Sequence, residues 1–81
     1  MMTESSVDVR GLIEQIAKWM VDAPDEVYVD HLEDDVVELE VAEGDVGKII
    51  GRQGRNVRAL RMLLSAAGVR AHKRYTLEVI D

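Results

Sequence analysis

The sequence has no cysteine, no phenylalanine and a single proline, and aromatic residues make up only 4% of its 81 residues. Without cysteine the chain can form neither disulfides nor a thiolate site, which suits a reducing compartment. No apolar run is long enough to span a membrane, and none resembles the hydrophobic stretch of a signal peptide. We therefore expect a cytoplasmic protein.

Eighty-one residues, 47% of them hydrophobic, are enough for one small domain with a thin core. We expect a flexible N-terminus at residues 1–6 and a single domain over residues 7–81. His31 and His72 stand alone, the carboxylates are scattered, and no Ser, His and Asp share a spacing typical of catalysis. The sequence therefore predicts no enzyme, no metal site and no cofactor.

Acidic residues are absent between Gly47 and Arg74, although the whole chain carries a net charge of −6. This segment carries a charge of +8 and the remainder carries −14. Binding responds to the local field rather than to the total charge, so the segment can still attract phosphates. A basic face that docks on an acidic protein or on the ribosome is the alternative. The basic residues are Lys48, Arg52, Arg55, Arg58, Arg61, Arg70, Lys73 and Arg74.

Two glycines, Gly51 and Gly54, frame Arg52 and Gln53 inside the basic segment. Glycine lets a chain turn tightly and lets another backbone come close. The spacing fits neither a dinucleotide fingerprint nor a nucleotide P-loop. A helix follows the loop, and its first N–H groups suit a phosphate.

Basic residues in the first turns of that helix strengthen the interpretation. Arg55 and Arg58 oppose the helix dipole there, at a cost of a few tenths of a kcal/mol each. A bound phosphate would offset this cost, whereas a purely structural design would favour Asp or Glu. We therefore expect a loop that grips a nucleic-acid backbone, with Lys48 adding charge before it.

Hydrophobic periodicity predicts the order α-β-β-α-α-β. The first helix is expected to be capped by Ser5 or Ser6, to carry Asp8 in its first turn and to end at Ala23-Pro24. Gly68 is expected to end the last helix. The predicted elements are a helix from Val9, strands at 27–32, 36–42 and 75–80, helical turns at 46–50 and a helix at 55–67.

These elements predict an α+β fold, a three-stranded sheet with helices packed on one face. The last strand follows a long helix, so it can pair in parallel. Trp19 lies beside the apolar stripe of the first helix, and we predict it in the core, with an oligomer contact as the alternative. At least one of Ile49 and Ile50 should be core, and the other could line an apolar groove.

The stretch Ile49-Ile50-Gly51-Arg52-Gln53-Gly54-Arg55-Asn56-Val57 resembles the core of a K-homology (KH) domain. The element order resembles the type II KH arrangement, and residues 7–80 resemble the small bacterial single-KH proteins of the KhpA family. In KH domains such a loop clamps four nucleotides by their backbone. The resemblance implies RNA-binding roles for Lys48, Ile49, Ile50, Gly51, Arg52, Gln53, Gly54, Arg55 and Arg58.

Within that set, the resemblance implies that residues 51–54 contact the phosphates. It also implies that Ile49 or Ile50 forms the apolar floor of the groove under the bases. It further implies a single-stranded RNA or DNA ligand and a role as RNA chaperone or post-transcriptional regulator, linked with cell shape. A homodimer and a Jag/KhpB-type RNA-binding partner are expected on the same ground. One KH copy should bind weakly unless it pairs.

Overall fold

The computed structural model describes residues 8–80, so the expected flexible segment 1–6 lies outside the described residues. The predicted element order is confirmed, and the fold is α+β. The elements are α1 (Val9–Met20), β1 (Tyr28–His31), β2 (Val36–Glu40), α2 (Val46–Ile50), α3 (Arg55–Ala71) and β3 (Thr76–Ile80).

The sheet has the strand order β1-β2-β3. Strands β1 and β2 run antiparallel, with Val29 opposite Leu39, and β2 and β3 run parallel, with Val37 opposite Leu77. The parallel pairing is confirmed, because the long α3 carries the chain back to the end from which β2 starts. Helix α1 packs on β1 and β2, α3 packs on β3, and α2 packs on α3.

The core lies between the helices and the inward face of the sheet. One face of β2 and one side of α3 are buried, and Ala67 on α3 is half-buried. Alternation along the strands and a 3–4 residue spacing along the helices bring these side chains to one layer. The buried hydrophobic residues are Val9, Ile13, Ala17, Val27, Val29, Val37, Leu39, Val41, Ile49, Val57, Leu60, Leu64 and Leu77.

Helix α1 begins and ends differently from the sequence prediction. The Asp8 carboxylate accepts a hydrogen bond from the Gly11 N–H at 2.9 Å, so Asp8 is the N-cap rather than a first-turn residue. Ser5 and Ser6, the predicted caps, lie outside the described residues. The helix ends at Met20, ahead of the predicted Ala23-Pro24 stop, since Val21 is already extended.

The prediction that Trp19 belongs to the core is wrong, because 76% of the residue is exposed. Val9, Ile13 and Ala17 form the buried line of α1, at steps of four residues. Trp19 comes two residues after Ala17, which is about 200° around a helix of 3.6 residues per turn. The alternative, an oligomer contact, stays a prediction.

The prediction that Gly68 ends the last helix is also wrong. Helix α3 continues to Ala71, and His72, with a φ of 59°, ends it in the left-handed conformation. The Lys73 N–H then donates to the Gly68 carbonyl oxygen at 2.8 Å. A Cβ on Gly68 would lie 2.3 Å from the Lys73 carbonyl oxygen, so this glycine serves the close return of the chain.

Candidate functional site

The segment from Gly51 to Gly54 is a tight loop between α2 and α3. The Gly51 N–H donates to the Gly47 carbonyl at 2.8 Å, and the Gly54 N–H donates to the Gly51 carbonyl at 3.1 Å. Gly51, Gln53 and Gly54 have φ values of 77°, 58° and 75°. These positive angles reverse the chain within four residues, and they leave Arg52 and Gln53 exposed at the tip.

Gly51 and Gly54 are held by different constraints. Gly51 combines its positive φ with a ψ of 168°, and a Cβ there would lie 2.7 Å from Asn56 Cγ and 2.8 Å from the Asn56 main-chain nitrogen. Gly54 is in the ordinary left-handed region, and the nearest atom to its Cβ position is Arg58 Nη1 at 3.8 Å. The space beside Gly54 is therefore open, as close approach of another backbone requires.

Asn56 closes the loop from the start of α3. Its Nδ2 donates to the Lys48 carbonyl oxygen at 2.7 Å, which ties the first turn of α3 to α2. No role is predicted for Asn56 from the sequence. A short amide side chain two residues after the second glycine is the signal that could have revealed it, because such a side chain readily binds nearby main-chain groups.

Three arginines around the loop keep their charges available. Arg52, Arg55 and Arg58 are exposed, and their side chains make no hydrogen bond or ion pair with any of residues 8–80. Gly54 is the N-cap of α3 and offers no side chain to the N–H groups of the first turn, of which that of Arg55 donates to the Arg52 carbonyl oxygen. Cationic side chains and the N-terminus of a helix without a side-chain cap therefore lie at the same loop, an arrangement suited to anions.

The predicted site residue Lys48 lies in a different environment. Its Nζ is 3.1 Å from Asp22 Oδ2 and 3.5 Å from Asp45 Oδ1. The hydrogen bond and the charge of Asp22, followed by those of Asp45, raise the pKa of Lys48 despite its partial desolvation. The ammonium thus sits beside the start of α2, whereas the loop follows the end of α2.

Asp45 connects this site to the α1–β1 segment. The residue is only 4% exposed, and its two carboxylate oxygens accept the N–H groups of Asp22 at 3.2 Å and Ala23 at 3.1 Å. Burial acts to raise the pKa of Asp45, but these hydrogen bonds and the Lys48 ammonium outweigh it and hold the pKa below its usual value. No pattern in the sequence marks Asp45 out, because its partners Asp22 and Ala23 lie more than twenty residues earlier in the chain.

Residues 10–79 match the family described as "KhpA/KhpB, KH domain". The chain belongs to this family. It is 44% identical over 75 residues to the RNA-binding protein KhpA of Clostridium acetobutylicum, covering 89% of this chain and all of the relative. The RNA-binding protein KhpA of Treponema pallidum is 49% identical over 75 residues (86% of this chain, 91% of the relative), and that of Borreliella burgdorferi is 47% identical over 73 residues (86% and 89%). No solved structure matches significantly.

The membership in the KhpA/KhpB family confirms the resemblance read from the glycine loop. Ile49 is fully buried, so it is the core member of the isoleucine pair, and Ile50 is half-buried beside the loop. Ile50 is therefore the one of the two that can face a ligand without a rearrangement of the core.

Among the described residues, no group of three or more acids and histidines could hold a metal ion, and no helix is long and apolar enough to cross a membrane.

Proposed function

We propose that this protein binds single-stranded RNA through the loop from Gly51 to Gly54 and has no enzymatic role. The observation that carries the proposal is a glycine loop in a KH-family chain, surrounded by Arg52, Arg55 and Arg58, which have no ion-pair partner within residues 8–80. Three relatives that match most of this chain are named as RNA-binding proteins, which favours RNA over docking on an acidic protein.

The physical mechanism starts at the glycines. The sugar-phosphate chain passes over Gly54, where no side chain blocks it, and the phosphates meet Arg52 and Arg55. The amide of Gln53 adds a hydrogen-bond donor, and the positive end of the α3 dipole favours an anion there. Ile50 lies under the bases. Four nucleotides fill such a loop and groove.

The same proposal extends to the oligomeric assembly of the protein and to its cellular role. A single loop holds few phosphates, so two copies in a homodimer, or one copy with a Jag/KhpB-type protein, would raise affinity through effective concentration. We propose that the protein acts in the cytoplasm as an RNA chaperone or post-transcriptional regulator with an influence on cell shape. Single-stranded DNA of similar length is the competing ligand for the loop.

The loop tip provides the test. Arg52→Asp combined with Gln53→Asp should abolish binding of a short RNA in a fluorescence-anisotropy titration, because two carboxylates would face the phosphates. Both residues are exposed, and aspartate accepts the left-handed conformation of Gln53 well. Thermal melts should therefore show a stability within about 0.5 kcal/mol of the parent.

Arg10→Asp combined with Gln15→Asp is the matched control, since it makes the same change of charge on the exposed side of α1. This pair should bind RNA nearly as well as the parent. Undiminished RNA affinity in the folded loop variant would refute the proposed function.

A further inference from the structure

A cleft of about 750 Å³ lies at the C-terminal end of α3, at the end of the helix opposite to the loop. No carboxylate lines this cleft among the described residues, whereas a smaller cleft of about 340 Å³ is lined by three glutamates. The lining of the larger cleft includes Ser65, Val69 and His72 from α3 and its cap, and Lys73, Arg74 and Tyr75 from the connection to β3.

The charged groups of this α3 C-terminal cleft are available to an anion. Arg74 makes no hydrogen bond or ion pair with any of residues 8–80. Lys73 Nζ is 3.8 Å from Asp35 Oδ1, and a long, solvent-exposed pair of this kind adds little stability. Tyr75 is half-buried, and its ring meets the His31 ring edge to face at 5.6 Å, which holds the tyrosine in place. Two cationic residues therefore line the same cleft as an aromatic ring that packs against His31.

A line of residues along α3, three of them polar or cationic and flanked by the two caps of the helix, joins the loop to this cleft. The residues of this line, listed below, are separated by steps of four, three, four and seven positions. Such steps keep them on one face of the helix. Arg58 lies next to the loop, and the Arg61 guanidinium reaches the Leu77 carbonyl oxygen at 3.4 Å, beside β3. The positions are Gly54, Arg58, Arg61, Ser65 and His72.

We propose that an RNA strand held at the loop continues along this face of α3 and places a phosphate and a base in the α3 C-terminal cleft. Lys73 and Arg74 meet the phosphate, and Tyr75 offers its ring to the base. The 17-residue helix is about 25 Å long. At about 3.4 Å of rise per stacked nucleotide, the strand needs about seven nucleotides rather than four. The inference rests on the proposed function of the loop.

Two RNA lengths test the inference, one of four nucleotides, which fills only the loop, and one of ten, which reaches the cleft. For the wild type, the plot of log affinity against log salt should be steeper for the longer RNA by about 0.7, the contribution of the one phosphate added in the cleft. Lys73→Gln combined with Arg74→Gln should remove this difference and bind the shorter RNA like the wild type. Arg10→Gln combined with Lys18→Gln removes the same charge from α1 and should keep the difference.

Nuclear magnetic resonance adds a readout of position. The amide signals of Ser65 and His72 should shift with the ten-nucleotide RNA and stay in place with the four-nucleotide RNA. Equal salt slopes, unshifted signals, or a length effect that survives the Lys73 and Arg74 changes would overturn the inference and leave loop binding intact. Failure of the wild type to bind either RNA would instead refute the proposed function, and the inference with it.

Discussion

At the scale of single residues, Gly51 and Gly54 are required to different degrees. Gly51 has backbone angles that side chains rarely adopt, and the main chain of Asn56 occupies the space beside it. Gly54 has left-handed angles but open space. In the proposed binding mode, Gly54 therefore leaves the space that close approach of RNA requires, whereas Gly51 determines the shape of the loop.

Alanine at each position separates these requirements. Gly54→Ala should lower the free energy of unfolding by about 1–2 kcal/mol, the cost of a left-handed conformation with a Cβ. Gly51→Ala should lower it by about 3 kcal/mol, because backbone strain is joined by displacement of Asn56. Urea denaturation measures both values, and equal losses would mean that Asn56 moves aside without cost.

The buried Asp45 gives the fold a dependence on acid. Its pKa is depressed in the folded protein, so its contribution to stability is complete above the pKa of an unfolded aspartate, about 4. The contribution is lost as the pH falls through the folded value. Asp45→Asn should therefore be less stable than the wild type at pH 7. The difference in their free energies of unfolding should narrow below about pH 4.

Denaturation curves at pH 7, 5 and 3 measure this gap. Asp25→Asn is the control, because Asp25 is exposed and makes no hydrogen bond or ion pair with the described residues. A constant gap across this range would show that the Asp45 carboxylate needs no charge to hold the N–H groups of Asp22 and Ala23.

At the scale of elements, the last turn of α3 shows how tertiary contacts override a local signal. Gly68 is followed by an apolar and a basic residue, a pattern that favours termination at the glycine. The chain instead continues to Ala71 and then folds back, so that the Lys73 carbonyl oxygen occupies the place of a Gly68 side chain. This return shapes one wall of the α3 C-terminal cleft.

Two glycine-to-alanine changes inside helices should have opposite signs. Gly47→Ala in α2 has no atom within 4 Å of its Cβ and should raise the free energy of unfolding by about 0.5–1 kcal/mol through helix propensity. Gly68→Ala gains the same propensity but meets the Lys73 main chain, and it should be destabilising overall. Thermal melts with circular dichroism measure both, and stabilisation by Gly68→Ala would show that the α3–β3 connection shifts freely.

The sequence predicted the elements well wherever one face of an element meets the core. Alternation in β2 and the spacing of Val57, Leu60 and Leu64 carry that signal directly. Contacts between distant segments could not be read in the same way. The hydrogen bonds from the 22–23 main chain to Asp45 depend on the packing of α1 beside α2, and the exposure of Trp19 depends on how α1 turns toward the sheet.

At the scale of the whole molecule, clusters of acidic and of basic residues lie on different surfaces. Glu38 lies directly between Asp30 and Glu78 in the register of the three strands, on the face of the sheet opposite to the buried Val37 and Leu39. Neighbouring like charges cost stability in a sheet. Most of the cationic residues lie on the loop, on α3 and on the connection from α3 to β3. A polyanion is thus repelled from the open face of the sheet and attracted to the loop.

This separation makes salt the most direct probe of the binding face. With a four-nucleotide RNA, the loop neutralises three or four phosphates, and log affinity against log salt should fall with a slope of about −2 to −3, at about 0.7 per phosphate. Arg52→Gln should reduce the magnitude of the slope by about 0.7, whereas Arg10→Gln, on α1, should leave it unchanged. Anisotropy titrations at several salt concentrations measure these slopes, with ultracentrifugation to establish the association state. A slope near zero would mean that the basic segment does not meet phosphates, because counterion release accompanies every such contact.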